Sequence, residues 1–355
     1  MKQCVTPTGK LTAYGEQIWS KLSIDIKKEL WKWMVRLRAY DQQCMVWSRQ
    51  GKILTYAPYF GQEASQVGSA FALQPQDWLF PTYRDHGAAI VHGLPMKHSL
   101  FYWLGRIEGN RSGGKWRALP ASVPIATHLL HAVGTAWAAT LRNRPTVSLA
   151  LFGDGATSEG DFHEACNLAG LKQLPVLFFC QNNRYAISTP FGEQSATETV
   201  VEKAHAYGFP GIRIDGNDVL VVYETVKHAA HKARLGNGPV LIEALTYRLG
   251  PHTMSDLPQR YRMMEEEREW NAREPLQRYQ QLLLDQGVLN EQEVQETKRS
   301  CQQQVLESMN QVLHAASPPN THLFAHVFAV LPRDLKKQRN EVVGRRGMDA
   351  CFEYD

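Results

Sequence analysis

Two apolar segments with no polar alternation dominate the middle of the chain. Residues 147–152 and residues 174–180 are built almost wholly from aliphatic and aromatic side chains. Strands that are buried on both faces of a parallel sheet have this pattern, whereas half-exposed strands alternate apolar and polar positions. A polar cluster ends each segment, Gly-Asp-Gly at 153–155 and Asn-Asn at 182–183. The pattern predicts two strands of a parallel sheet.

The segment between these strands has the spacing of a crossover helix. Its apolar positions recur at intervals of three and four residues, and Ser158 with Asp161 three residues later predicts an N-terminal cap. A right-handed strand, helix, strand unit brings the carboxyl ends of both strands to one edge of the sheet. Asp154 and Asn183, although 29 positions apart, are therefore predicted to lie together, where open α/β sheets bind ligands.

Asp154 and Asn183 carry oxygen ligands that suit Mg²⁺. One carboxylate, one carboxamide and a nearby backbone carbonyl are too few and too weakly charged to enclose a cation alone, but Mg²⁺ completes its octahedron with phosphate oxygens and water. Gly153 and Gly155 allow the backbone to approach a phosphate, and the helix that follows supplies free N–H groups. Either motif alone would favour an ordinary turn, whereas both at matched strand ends favour a site for a magnesium-bound diphosphate.

The amino-acid sequence of this unit also resembles that of a known family. GDG, 26 intervening residues and NN resemble the thiamine diphosphate motif, and GDGATSEGDFHEACNLAG with QNNRYAISTP resembles the alpha subunit of the decarboxylating component of 2-oxo acid dehydrogenase complexes, of the pyruvate and branched-chain types. The resemblance implies an α/β thiamine-diphosphate-binding fold, a parallel sheet with helices on both faces, extended by N-terminal and C-terminal helices. It implies cofactor contacts by Gly155 and Ala156, and Asp154, Asn183 and Tyr185 as Mg²⁺ ligands that also contact the cofactor.

Further site residues follow from the same resemblance. Tyr83 and Arg84, in FPTYRDHG, match the residues that bind the cofactor's diphosphate. A guanidinium forms paired, charge-assisted hydrogen bonds with phosphate, and an ordinary surface ion pair with Asp85 is the alternative. The Val123 backbone and the Ile125 side chain match contacts to the aminopyrimidine and thiazolium rings. His252, in RLGPHTMSD, matches the catalytic histidine that reaches the cofactor and the reacting intermediate.

The resemblance implies one more ion site. Ser122, Pro124 and Thr127 match positions that form a structural potassium site in the branched-chain relatives. His128 replaces a glutamine ligand of that site in this sequence. We therefore expect a potassium ion at a site in which one of the family's ligands is replaced.

The chain lacks one group that the chemistry requires. Thiamine diphosphate acts as an electron sink when carbon dioxide leaves a 2-oxo acid, and its activation needs a glutamate in an apolar pocket. No recognisable motif here supplies that glutamate. In the resembling family a beta subunit provides it, so we expect a heterotetramer of two alpha and two beta chains that is inactive without beta. The acyl group would then pass to the lipoyl group of a dihydrolipoyl acyltransferase.

The sequence leaves two 2-oxo acids as candidate substrates. YAPYFGQEASQ resembles bacterial pyruvate-type chains, whereas FFCQNNRYAISTP, IDGNDVLVVY and EALTYRLG resemble branched-chain ones, whose substrate is 2-oxoisovalerate. We predict a pyruvate dehydrogenase type, with the branched-chain type as the alternative and an acetoin dehydrogenase alpha subunit behind both. A noncatalytic nucleotide-binding module is a different class, but GDGATSEG departs from G-x-G-x-x-G and no Walker lysine motif is present.

Composition and charge restrict the possible partners, the state of the cysteines and the cellular location. The chain has 355 residues and a formal net charge of +4, which is too small to favour a nucleic-acid partner. Its six cysteines are scattered, which predicts free thiols rather than disulfides or a zinc site. No apolar run approaches the roughly 18 residues of a membrane span. These features predict a protein of the bacterial cytoplasm, with the mitochondrial matrix as the weaker alternative.

Three regions are predicted along the chain. Residues 1–22 are polar and are expected to form an irregular arm. Residues 23–262 form the α/β domain that binds the diphosphate half of the cofactor, beginning with a long helix over 23–51. Residues 263–355 form a C-terminal helical extension with a basic tail, whose simplest interpretation is a solvated helix.

Overall fold

Five parallel strands form one sheet at the centre of the computed structural model, which describes residues 1–110, 116–316, 318–325 and 327–345. A short antiparallel hairpin lies outside this sheet. The strands are β1 Trp78–Phe80, β2 Ser148–Gly153, β3 Val176–Asn182, the hairpin strands β4 Tyr185–Ala186 and β5 Thr189–Pro190, β6 Gly211–Asp215 and β7 Val240–Leu245. The sheet order is β1-β2-β3-β7-β6. The predicted parallel sheet is confirmed.

The two central strands are buried on both faces, as their apolar sequences predict. Leu149 and Leu151 of β2 point into one hydrophobic core, whereas Ala150 and Phe152 point into a second core on the opposite face. The side chains of strand β3 alternate between the two cores in the same way. Because neighbouring side chains of a strand face opposite sides, both faces need a cover of helices.

The described residues contain thirteen α-helices that pack around this sheet or extend from it. They are α1 Ala13–Trp19, α2 Ile24–Arg49, α3 Glu63–Phe71, α4 His86–Val91, α5 Met96–Trp103, α6 Thr127–Leu141, α7 Gly160–Lys172, α8 Phe191–Gln194, α9 Val219–Arg234, α10 Met264–Asn271, α11 Pro275–Asp285, α12 Glu291–Leu313 and α13 Arg333–Arg345. Helices α6 and α7 contribute to one core, and α2, α3, α9 and α12 contribute to the other. The fold is therefore α/β with helical extensions, as predicted.

The predicted start of the crossover helix is wrong. Residues Asp154–Ser158 form a 3-10 helix, and α7 begins at Gly160 with Glu159 in the cap position and no side-chain cap. The Thr157 hydroxyl donates to the carbonyl of Asp154 at 2.9 Å, which stabilises the tighter turn. Ser158 is therefore the last residue of this turn rather than the cap of α7.

The first residues are more ordered than an irregular arm. Helix α1 lies within residues 1–22 and is capped by Thr12. The backbone N–H groups of Cys4 and Val5 donate to the buried carboxylate of Asp218 at 2.6 and 2.7 Å. The prediction of irregular structure is wrong for α1, and the division into three regions stays a prediction.

The described residues also bear on the predicted long helix, the cysteines and the membrane-span prediction. The long N-terminal helix is confirmed as α2, with Ser23 as its cap. Residues 105–121 are rich in glycine and arginine, which indicates a loop; they contain a 3-10 helix at Ile107–Asn110, and residues 111–115 lie outside the described residues. Five cysteines in the described part are free and buried, and Cys351 lies outside it. No helix there has both the length and the apolar character that a membrane span requires.

Candidate active site

One cleft opens at the carboxyl edge of the sheet where β2 and β3 end. Parallel register places Gly153 beside Gln181, so the residues that follow each strand emerge together. The cleft has a volume of about 250 Å³. Nine predicted site residues line it, namely Tyr83, Arg84, Ile125, Asp154, Gly155, Ala156, Asn183, Tyr185 and His252. Val123 is not among the lining residues and is 58% exposed.

Asp154 is a buried carboxylate at the base of this cleft. Its Oδ2 atom accepts a hydrogen bond from Nε2 of Gln194 at 2.6 Å. Burial raises the pKa of the Asp154 carboxyl to about 6, against the effects of the Gln194 hydrogen bond and the positive charge of Arg248. A cation bound nearby would stabilise the charged form of this buried carboxylate.

Asn183 and Tyr185 supply the other two predicted ligands. The Asn183 Oδ1 atom accepts from the backbone N–H of Tyr185 at 3.2 Å and keeps a second lone pair. The Tyr185 hydroxyl donates to Glu266 at 2.6 Å, which leaves its backbone carbonyl as its candidate ligand. No group of three His, Cys, Asp or Glu side chains that could hold a metal occurs in the described part of the chain. This oxygen donor set suits Mg²⁺ completed by phosphate and water.

The two glycines of the GDG turn have different roles. A Cβ atom at Gly153 would meet nothing within 4 Å, so its backbone is open to a ligand. A Cβ atom at Gly155 would lie 2.9 Å from the Cβ of Ala186 in the hairpin. Gly155 therefore allows the hairpin to pack against the turn, a constraint that the motif alone did not reveal.

Arg84 lies in a buried hydrogen-bond network rather than in a surface ion pair. Its guanidinium donates to the carbonyls of Pro58 at 2.5 Å and His252 at 2.9 Å. Asp85 instead accepts from Thr82 at 2.6 and 2.9 Å and from Gln181 at 2.5 Å. The alternative of an Arg84–Asp85 ion pair is thus not observed, and Arg84 is fixed at the wall of the cleft.

A second buried arginine, Arg248, lines the cleft and was missed from the sequence. It donates to the carbonyl of Ile187 at 3.0 Å and to the Tyr261 hydroxyl at 2.9 Å. Its Nε atom is buried and has no partner among the described residues. Burial, together with the nearby charges of Arg84 and Arg262, lowers the pKa of Arg248 to about 10. Three arginines in one loop were the available signal, and the two arginines that line the cleft, Arg84 and Arg248, fit a ligand with several negative charges.

His252 is held as a neutral ring beside these arginines. Its Nδ1 lies 3.1 Å from Nη2 of Arg84. Because arginine only donates, Nδ1 is an acceptor and the ring proton is on Nε2. Burial lowers the pKa of His252 to about 3, helped by the charges of Arg84 and Arg248. Its backbone N–H donates to Asp256 at 2.6 Å, which fixes the loop. The ring therefore offers an N–H donor and stays neutral at pH 7.

Comparison with known proteins gives the family. The model of the family described as "Dehydrogenase E1 component" matches residues 31–320. This chain belongs to that dehydrogenase E1 component family. A 3-methyl-2-oxobutanoate dehydrogenase subunit alpha of Mycobacterium tuberculosis is 41% identical over 96% of this chain and 92% of its own length. A pyruvate dehydrogenase E1 component subunit alpha of Staphylococcus aureus is 39% identical over 87% of this chain and 84% of its own length.

Membership in the E1 family supports thiamine diphosphate as the cofactor, and all nine cleft-lining site residues lie within the matched region. Ile125 is 40% exposed at the cleft, where an apolar side chain is available to a cofactor ring. Glu159 also lines the cleft but is exposed, so it is not a glutamate in an apolar pocket. The glutamate expected from a beta subunit thus has no counterpart among these cleft residues.

The potassium site stays a prediction in this E1 chain. The Ser122 hydroxyl donates to the carbonyl of Pro124 at 3.0 Å, so two of the predicted positions are in contact. His128, which replaces the glutamine ligand, has its Nε2 atom 2.7 Å from the carbonyl of Leu151 in β2. That ring nitrogen is engaged with the strand. Thr127 begins α6.

Proposed function

We propose that this chain is the alpha subunit of a thiamine-diphosphate-dependent 2-oxo acid dehydrogenase. The enzyme decarboxylates a 2-oxo acid oxidatively and transfers the acyl group to the lipoyl group of a dihydrolipoyl acyltransferase. One observation carries the proposal. Asp154 and Asn183, which follow the ends of β2 and β3, share a cleft with two buried arginines, an arrangement that suits a magnesium-bound diphosphate.

The chain's own residues divide the binding task by charge. Arg84 and Arg248 present guanidinium groups to the diphosphate, and Tyr83 lines the cleft beside Arg84. Asp154, Asn183 and the Tyr185 carbonyl would hold Mg²⁺ against the same phosphates. Gly153 leaves open space for the approach. Once bound, the cofactor supplies an electron sink for decarboxylation.

His252 is assigned to the reacting end. Its neutral ring donates a hydrogen bond from Nε2 without adding a positive charge that would compete with Mg²⁺ for the phosphates. A donor held in place before reaction stabilises negative charge that develops on substrate oxygen. The hydrogen bonds from Arg84 to the His252 carbonyl and from the His252 N–H to Asp256 keep the loop in position.

A beta subunit completes the site in this proposal. The relatives are named as alpha subunits, and the cleft lacks a glutamate in an apolar pocket. Val123, Ile125 and Ile187 expose apolar surface beside or within the cleft, which a second chain would cover. We therefore assign an assembly of two alpha and two beta chains. We place it in the bacterial cytoplasm, because the similar relatives are bacterial proteins.

Pyruvate is the first substrate candidate. The segment YAPYFGQEASQ favours it, and the Staphylococcus aureus relative is a pyruvate dehydrogenase subunit. The second candidate is 3-methyl-2-oxobutanoate, because the Mycobacterium tuberculosis relative that carries this name has a similar identity over more of the chain.

The test is reconstitution. The chain is purified with and without the candidate beta subunit, and decarboxylation of pyruvate and 3-methyl-2-oxobutanoate is measured with thiamine diphosphate and Mg²⁺. We expect turnover only by the assembled complex, with a higher kcat/KM for pyruvate. Activity of the chain alone would refute the shared site, a preference for the branched acid would replace the substrate, and turnover of neither acid would refute the function.

A further inference from the structure

The hydrogen bond between Gln194 and Asp154 is not explained by the functions assigned so far. Asp154 is 1% exposed, and its Oδ2 atom receives the Gln194 Nε2 donor at 2.6 Å. Gln194 is far from Asp154 in sequence, at the end of α8. An amide donor at this distance occupies one oxygen of the carboxylate on which the proposed cation depends.

The chain holds Gln194 in this position through the hairpin that follows Asn183. The Phe191 N–H donates to the carbonyl of Arg184 at 2.8 Å, which ties α8 back to the end of β3. The hairpin also packs on the GDG turn, where a Cβ atom at Gly155 would lie 2.9 Å from Ala186 and 3.8 Å from Oε1 of Gln194. The glutamine and two of the metal ligands therefore belong to one connected segment.

This contact bears on how a cation can bind. A cation held by both oxygens of Asp154 would compete with the Gln194 amide for the electron density of Oδ2, whereas a cation held by Oδ1 alone would not. Ca²⁺ often takes both oxygens of a carboxylate, at high and flexible coordination number. Mg²⁺ is smaller and requires near-ideal octahedral geometry. The two oxygens of one carboxylate subtend too narrow an angle for this geometry, so one-oxygen coordination is favoured.

We propose that Gln194 makes the site selective for Mg²⁺ over Ca²⁺ by restricting Asp154 to coordination through one oxygen. The inference rests on the proposed function, since it takes the cation to bind at Asp154. Gln194 acts here as a positioning residue for a metal ligand. Hydrogen-bond partners of metal ligands commonly change metal affinity by about 10- to 100-fold when they are removed.

The test compares Gln194→Met with wild type in the complex saturated with thiamine diphosphate. Methionine has a similar length and no N–H donor. Isothermal titration calorimetry measures the dissociation constants of Mg²⁺ and Ca²⁺ separately. We expect the preference for Mg²⁺ over Ca²⁺ to fall by about tenfold. Gln302→Met, at an exposed position on α12, is the matched control and should leave the ratio unchanged.

The ratio separates the possible outcomes. An unchanged ratio in Gln194→Met would overturn the selectivity role, whether both affinities are retained or both fall equally, as a merely structural role would produce. In either case a wild type that binds Mg²⁺ with the cofactor leaves the proposed function standing. A wild type that binds neither cation would refute the proposed metal site, and the selectivity role with it.

Discussion

Replacing Arg248 by methionine should separate the stability of the free chain from its affinity for the cofactor. Arg248 is 1% exposed, and its pKa is lowered to about 10 by burial and by Arg84 and Arg262. Relative to its ordinary value, this corresponds to a cost of about 3 kcal/mol for carrying the charge in the free cleft. Methionine removes that cost together with the hydrogen bonds to Ile187 and Tyr261.

The two effects of Arg248→Met therefore oppose each other in the free protein. The lowered pKa already contains the hydrogen bond to Tyr261, whereas the bond to the Ile187 carbonyl contributes about 1.5–3 kcal/mol, so the free energy of unfolding should change by less than about 2 kcal/mol. In the cofactor complex nothing offsets the lost charge, because the diphosphate is the missing partner of the guanidinium. The dissociation constant of thiamine diphosphate should rise about 10- to 100-fold, since a charge-assisted hydrogen bond contributes about 1.5–3 kcal/mol.

The assay is calorimetric titration of thiamine diphosphate into the assembled complex with Mg²⁺ in excess, beside thermal unfolding of each variant. Arg260→Met is the matched control, because Arg260 belongs to the same loop, carries the same charge and is exposed. The reasoning is refuted if Arg248→Met binds the cofactor within about a factor of three of wild type, or if Arg260→Met weakens binding equally.

Three further predictions concern Asp41 in the core, Gly155 in the GDG turn and His252 at the reacting end of the cleft. Burial raises the pKa of Asp41 to about 7, so stability should fall as the pH rises from about 4 to about 7, and Asp41→Asn should flatten this part of the Tm profile. Gly155→Ala should push the hairpin at Ala186 away, lowering stability by about 1–3 kcal/mol in denaturant titrations, whereas Gly160→Ala meets nothing within 4 Å and should lack this loss. His252→Ala should lower kcat by about 10²- to 10³-fold with little change in cofactor affinity, and equal losses in both would contradict its catalytic role.

The sequence was informative where a regular pattern controls the structure. The unbroken apolar runs around Leu149 and Leu177 predicted buried strands, because a strand covered on both faces has no polar alternation. Parallel strands then bring their carboxyl ends to one edge. Asp154 and Asn183 follow those ends directly, so their meeting was predictable from the topology without coordinates.

Residues whose position depends on loop packing were not predictable. Arg248, whose charge lowers the pKa of Asp154, and Gln194, which donates to Asp154, are placed by a loop and a hairpin that have no periodic signal. Ser158 was misplaced as a cap because the hydrogen bond from Thr157 to Asp154 favours a 3-10 turn before α7. The first residues pack because Asp218 accepts from Cys4, a contact between positions 214 residues apart.

The central claim is that one divalent ion is shared by the Asp154 carboxylate and the Asn183 carboxamide beside the cofactor's phosphates. A crystal of the complex grown with thiamine diphosphate and Mn²⁺ in place of Mg²⁺ would locate the ion by its anomalous scattering. We predict a single peak about 2.1–2.2 Å from one oxygen of Asp154 and from Oδ1 of Asn183. A peak that contacts only one of these residues, or that lies outside the cleft, would contradict the account.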